Sequence, residues 1–321
     1  MRLNPSFSVV NFAAAFAAAL AIAACSPSAP KSPTRGAEAA AMPASPALMT
    51  WPDLLKQPRP KPSKTISFGP AAYQSADLWL PEGAGPFPIV LMIHGGCWQK
   101  AVADRTLMNY AAEALRSEGI AVWNIEYRGV DEPGGGYPGT FLDVAAAADR
   151  LVEVGKTYNL KTDRVVAFGH SAGGHLALWL AARPRLPAGN VLRGSDPLAI
   201  LGVLNSGGLA DLKASAPVTQ KECLASILDK LTGAPGPGRS DVFSDTSPAE
   251  MLPLGVRQIS VNGEDDPIAP PDLGRAYTDR ARAARDEAGF ILIPHTGHVE
   301  LITPGTDAFK RELSVLRELT R

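Results

Sequence analysis

Neither sign of charge is in excess in this chain: Lys and Arg total 31 against 32 Asp and Glu. Nor is there a long basic run, so nothing favours nucleic acid or an anionic surface as a partner. Cysteine is scarce, with three residues in 321, so folding does not rest on a disulfide framework. A phosphate-binding GxxxxGK[ST] loop is absent, as are HExxH and paired CxxC motifs. The histidine pairs 170/175 and 295/298 have neither i,i+4 spacing nor carboxylate companions suited to a metal. We therefore expect no metal and no cofactor. No internal repeat is apparent. What remains is 45% hydrophobic and 20% charged residues, a mixture that builds an ordinary globular domain with a sizeable core.

The first residues do not read as part of that domain. Arg2 precedes an apolar stretch, Val9 to Ala24, interrupted only by Asn11, and Ile22-Ala23-Ala24-Cys25 follows. Such a stretch is too short and Ala-rich for a comfortable membrane span, and reads as a signal peptide over 1–24. It resembles the lipobox of bacterial lipoproteins. That resemblance implies acylation of Cys25, attachment to the lipid bilayer and a place in the cell envelope. Ser26 rather than Asp after the cysteine implies the periplasmic face of the outer membrane. An ordinary secretory signal with a chance cysteine, or an uncleaved anchor, are the alternatives. Residues 25–50 are mostly Ser, Pro and Ala, and predict a disordered tether because they offer too little apolar surface to offset ordering. The folded domain is expected over 51–321.

From about Thr65 short apolar runs alternate with helical patterns. Candidate strands are Thr65–Phe68, Asp77–Leu80, Ile89–Ile93, Ala121–Ile125, Arg164–Phe168, Ile200–Leu204, Gln258–Val261 and Phe290–Ile293. Helices are expected at about 104–118, 141–157, 172–183, 272–288 and 306–319. Nearly continuous apolar strands separated by helices predict an α/β fold, a mostly parallel eight-stranded sheet covered on both faces. The interval 207–255 breaks the rhythm and predicts a small cap insertion over the ligand crevice.

Gly169-His170-Ser171-Ala172-Gly173-Gly174 follows a strand and opens a helix. In that context GxSxG is a sharp turn that holds a serine oxygen above the sheet, which makes Ser171 the candidate nucleophile. The helix start behind it supplies the N–H of Ala172 to a developing oxyanion. His94-Gly95-Gly96-Cys97-Trp98 follows another apolar strand, and the N–H groups of Gly96 and Cys97 are candidate partners in that oxyanion hole. Trp98 reads equally as core or as cleft lining. Of five histidines, only His295 and His298 follow the last strand, and His298, just past Gly297, is the candidate general base. One carboxylate of Glu264-Asp265-Asp266 should accept the ring N–H of that base.

These segments, with Glu126-Tyr127-Arg128-Gly129 and Thr296 to Leu301, resemble the α/β-hydrolase family of esterases and lipases. The likeness covers about 65–321. It is nearest a branch that joins bacterial feruloyl-esterase-like with kynurenine-formamidase-like proteins. The resemblance assigns the acid to Asp266, with Ala269 where that branch usually has Val. It implies a serine hydrolase acting on a small-molecule ester or amide. Cleavage of a carboxylic ester through an acyl-enzyme leads. A formamidase or peptidase with the same triad is the alternative, and a non-catalytic binding module on this fold is the reading from a different class. If the chain is exported, Cys97 and Cys223 meet an oxidising compartment and can form a disulfide; two buried thiols are the alternative.

Overall fold

The computed structural model describes residues 47–219 and 221–321. The expected signal peptide, Cys25 and the tether up to residue 46 lie outside the described residues.

Among the described residues the chain forms one eight-stranded sheet. Its strands are β1 (Lys64–Ser67), β2 (Ser75–Trp79), β3 (Ile89–Ile93), β4 (Ala121–Ile125), β5 (Val165–His170), β6 (Ile200–Ser206), β7 (Arg257–Gly263) and β8 (Ala288–Ile293). They lie in the order β1-β2-β4-β3-β5-β6-β7-β8. β2 runs antiparallel to both β1 and β4, and from β4 to β8 every neighbour is parallel. The helices are α1 (Trp51–Leu55), α2 (Asn109–Ser117), α3 (Gly139–Tyr158), α4 (Ala172–Ala182), α5 (Leu212–Ser215), α6 (Leu228–Thr232), α7 (Pro271–Ala283) and α8 (Asp307–Leu319).

The alternation of side chains along each strand divides the core. Ile89, Leu91 and Ile93 of β3 pack on one side with α3 and α4, whereas Val90 and Met92 pack on the other with α2 and α8. A period of two sends successive residues to opposite faces, so a central strand covered by helices on both sides must be apolar throughout. The register of β3 with its two neighbours is unbroken: Leu91 faces Trp123 of β4 and Ala167 of β5. The sheet therefore delivers the ends of β3, β5, β7 and β8 to one edge, and the site is built there.

Three expectations need correction. The helix expected over 272–288 ends at Ala283, and β8 begins at Ala288. Arg285 turns the chain at φ 71. Asp286 then accepts N–H bonds from Leu254 (2.7 Å) and Gly255 (2.8 Å), tying the link to the segment that leads into β7. The expected start at 104 is a 3-10 turn, Arg105–Met108, capped by the Asp104 side chain, and α2 follows it. The insertion at 207–255 is present but packs against the helical layer. Its Leu209, Leu212, Leu224 and Leu231 are buried in the same core as α3 and α4, and none of its described residues lines the cavity described below. That place is taken by α1. Residues 47–50, read as the end of the tether, lead into it: the Met49 N–H donates to Glu300 at 2.5 Å.

Candidate active site

Ser171 stands between β5 and α4 at φ 56 and ψ −122, a conformation unusual for a residue with a side chain. The turn requires glycine behind it: a Cβ on Gly169 would lie 1.9 Å from the Gly173 carbonyl oxygen. The Ser171 N–H donates to the Ser206 carbonyl at 2.8 Å, which fixes the turn to the end of β6. Ala172 is the first residue of α4, so its N–H has no acceptor within the helix and points out of the helix start.

The loop after β3 lies directly against this turn. A Cβ on Gly95 would come within 2.9 Å of Ser171 Cβ, so only glycine fits. Gly96, Cys97 and Trp98 follow at φ 110, 54 and 53. Three successive residues of positive φ need support, and buried polar groups provide it. His94 Nε2 lies 2.8 Å from Glu126 Oε1, and the His94 ring stacks on Tyr127 at 4.3 Å. The Tyr127 hydroxyl donates to the His94 carbonyl at 3.0 Å, and Lys100 reaches Glu126 at 2.9 Å. Burial opposes ionisation of Glu126, but His94 and Lys100 outweigh it and lower its pKa to about 2. Trp98 is fully buried and donates to His175 Nδ1 at 3.2 Å, so it belongs to the core. His175 Nε2–H in turn donates to the Thr246 carbonyl at 2.7 Å. Burial pushes His175 down to about 4, so the ring is neutral and links loop, helix α4 and insertion. Cys97 forms a disulfide with Cys223, a second link from the loop to the insertion.

The expected acid and base meet across the loops that follow β7 and β8. His298 Nδ1–H donates to Asp266 Oδ2 at 2.6 Å, and both side chains are buried. The other oxygen of Asp266 accepts from the N–H groups of Ile268 (2.8 Å) and Ala269 (2.9 Å). Every acceptor direction that matters is therefore filled, and the carboxylate cannot swing away. Asp265 faces solvent, 4.0 Å from His295 Nδ1, a separation too long for a hydrogen bond. Glu264, Asp265 and His295 bring ligand-type atoms within 4.8 Å of one another, but all three are exposed and stand outside the cavity.

His170 holds His298 from behind. Its Nε2–H donates to the His298 carbonyl at 3.1 Å, and the two rings lie 4.4 Å apart. Burial and the neighbouring His298 push the His170 pKa well below 6.5, which keeps that ring neutral. Neither this role nor that of His175 was visible in the sequence, because their partners lie 128 and 71 residues away.

Ser171 and His298 open onto one cavity of about 340 Å³, together with Gly96 and Cys97. They are not hydrogen-bonded to each other, and such bonds commonly tighten only around substrate. Apart from the His170 ring, the remaining wall is apolar: Trp51 and Leu55 from α1, with Val102, Ala103, Leu107 and Ile268.

This architecture is shared with known proteins. Esterase LipI of Mycobacterium tuberculosis (strain ATCC 25618 / H37Rv) is 25% identical over 251 residues, covering 72% of each chain. A truncated carbohydrate esterase from gut microbiota superposes with a TM-score of 0.67 at 20% identity, over 81% of this chain and 97% of that one. Esterase B from Lactobacillus rhamnosis (HN001) gives 0.67 at 21% identity, over 82% and 87%. The structural likenesses establish the α/β-hydrolase fold. The BD-FAE family model matches residues 76–278, well over half of the sequence, with the elbow, the glycine loop and Asp266 all inside the span, and the chain belongs to the BD-FAE family.

Proposed function

We propose that the chain is a serine hydrolase that cleaves a carboxylic ester through an acyl-enzyme. The observation that carries this reading is the buried Asp266–His298 hydrogen bond beside the Ser171 turn, on the wall of one cavity. Because Asp266 holds the proton on Nδ1, the lone pair of His298 is left on Nε2, where it takes the proton from Ser171 Oγ as that oxygen attacks the ester carbonyl carbon. The carbonyl oxygen gains the negative charge and accepts N–H bonds from Ala172 and the Gly96–Cys97 loop. Collapse breaks the bond to the alcohol oxygen, which takes the proton from His298 and leaves. Water then gives a proton to His298 and attacks the acyl carbon, and collapse breaks the bond to Ser171 Oγ, which takes that proton back as the acid leaves. The esterases named above support the choice of an ester, since they share the fold and one shares sequence.

A fluorophosphonate probe tests the nucleophile, and a panel of aryl esters, N-formyl amines and aminoacyl anilides tests the bond. We expect one label, on Ser171, and turnover concentrated on the esters. Turnover confined to the formyl amines or anilides would replace the ester with an amide and keep the triad.

We propose as well that Cys25 is acylated and that the enzyme is tethered to the cell envelope. Ile22-Ala23-Ala24-Cys25 supports this. Fractionation of cells producing wild type and Cys25→Ser tests it: membrane-bound wild type and a soluble variant are expected, whereas a soluble wild type refutes it.

A further inference from the structure

Two residues of the cavity wall, Trp51 and Leu55, come from a part of the chain that precedes the family-matched span 76–278. Helix α1 is only five residues long, yet it is moored at several points. Leu54 is fully buried in the core on the α2 and α8 side. The Met49 N–H and the Gly297 N–H share one carboxylate, Glu300, so the start of this segment and the histidine loop hang from the same side chain. Beyond α1, Tyr110 donates to the Gln57 carbonyl at 3.2 Å and Asn109 to that of Pro60 at 3.0 Å. Thus fixed, Trp51 presents its ring edge-on to His298 and to His170, with centroids 6.2 Å from each. Leu55 and Val102 continue the apolar surface to the mouth, where they are 43% and 59% exposed.

No Asp, Glu, Lys or Arg is among the described residues lining this space. Arg59, Lys100 and Asp104 line only the adjoining depression beyond Leu55 and Val102, so a charged group seated inside the cavity would lose water without a charged side chain lining it, whereas an apolar group would gain burial. We infer that Trp51, with Leu55 beside it, is a specificity-determining residue that selects uncharged esters carrying an apolar acyl group of several carbons. This inference rests on the ester reading proposed above.

The test measures kcat and KM for p-nitrophenyl acetate, hexanoate and hemisuccinate with wild type, Trp51→Ala and Leu55→Lys. In wild type, kcat/KM for hexanoate should exceed that for the anionic hemisuccinate at least tenfold. Trp51→Ala should lower the hexanoate-to-acetate ratio of kcat/KM about tenfold, chiefly through KM. Leu55→Lys, at a half-exposed position that tolerates change, should raise the hemisuccinate-to-hexanoate ratio about tenfold. A wall that merely steadies His298 would cut kcat by one factor for all three esters. Unchanged ratios in both variants, or a shift toward hexanoate in Trp51→Ala, would overturn the inference. Should Trp51→Ala not fold, Leu55→Lys decides alone. Failure of wild type to hydrolyse any of the esters would instead defeat the ester reading itself, so the two failures are distinct.

Discussion

The two walls of the cavity are built by different means. On the serine side, position comes from a residue at φ 56, glycines that admit no Cβ, and an Asp266 carboxylate held on both oxygens. On the α1 side it comes from apolar side chains on one short helix, part of whose surface is exposed. The first wall must hold reacting atoms to a fraction of an ångström, because small displacements cost rate steeply. The second has only to offer a surface of suitable shape and polarity. Backbone constraint is concentrated where the proposed reaction would develop charge, and the wall proposed to select the substrate is held by side-chain packing.

The largest contrast between the walls should follow loss of the nucleophile. Ser171→Ala removes the attacking oxygen, and the comparable change in subtilisin costs on the order of 10⁶-fold in kcat. The side chain is small, so thermal unfolding should be nearly unchanged. Esterase activity above a tenth of wild type in purified protein would remove Ser171 from the mechanism. Next comes Asp266→Asn, which leaves the wrong histidine tautomer; a change of this kind costs about 10⁴-fold in a serine protease. Asp265→Asn, at an exposed neighbour, should change kcat/KM less than about threefold. The opposite ranking would transfer the acid to Asp265.

The ease with which each wall could be read from sequence follows the same division. Ser171, His298 and the carboxylate turn were legible because each sits at the end of a strand that its apolar run announces. The choice among Glu264, Asp265 and Asp266 was not decided by local pattern, since three adjacent carboxylates look alike until a partner is placed; family likeness pointed to Asp266, and the structure puts it against His298. Trp51-Pro52-Asp53-Leu54-Leu55 was read only as the beginning of the domain, because five residues are too few to show a helical period. The end of α7 was misplaced for a related reason. Its stop is a left-handed Arg285 and a buried Asp286 whose partners lie 28 to 32 residues away. The insertion was recognised as a break in rhythm, but the side on which it packs depends on tertiary contacts alone.

The disulfide is the covalent tie between the loop after β3 and the insertion. It closes a loop with a sequence separation of 126. For that length the chain-entropy model gives roughly 4–5 kcal/mol. Cys223→Ala should therefore lower unfolding free energy by up to about that amount in denaturant titration, and dithiothreitol should do the same to wild type but not to the variant. Equal midpoints for wild type and variant without reductant would mean that the bridge contributes nothing.

His175 probes the same wall through pH. Its ring is buried and neutral, pushed from 6.5 down to about 4, whereas in the unfolded chain it takes up a proton near its ordinary value. The unfolded state therefore binds more protons between those limits. Its contribution is fully present above pH 6.5 and is lost as pH falls to 4, an effect on the order of 3 kcal/mol. His175→Gln should flatten the stability profile in that window. A slope equal to that of wild type would assign it to other groups.

The smallest effect belongs to the other wall. Thr50 precedes α1, and its N–H and hydroxyl both donate to the Asp53 carboxylate, at 2.9 and 2.7 Å. Removing a side-chain hydrogen bond of this kind typically costs about 1 kcal/mol. The helix is short and its cap is exposed, so the loss should appear as local opening rather than global unfolding. The N–H groups of Lys56 and Gln57, which donate to the Pro52 and Leu54 carbonyls, should exchange about fivefold faster in Thr50→Ala, the factor that 1 kcal/mol implies. Amides of α4 behind Ser171 should keep their wild-type rates. If they quicken by the same factor, the two walls open as one unit, and the division between a chemical side and a separately anchored selective side is false.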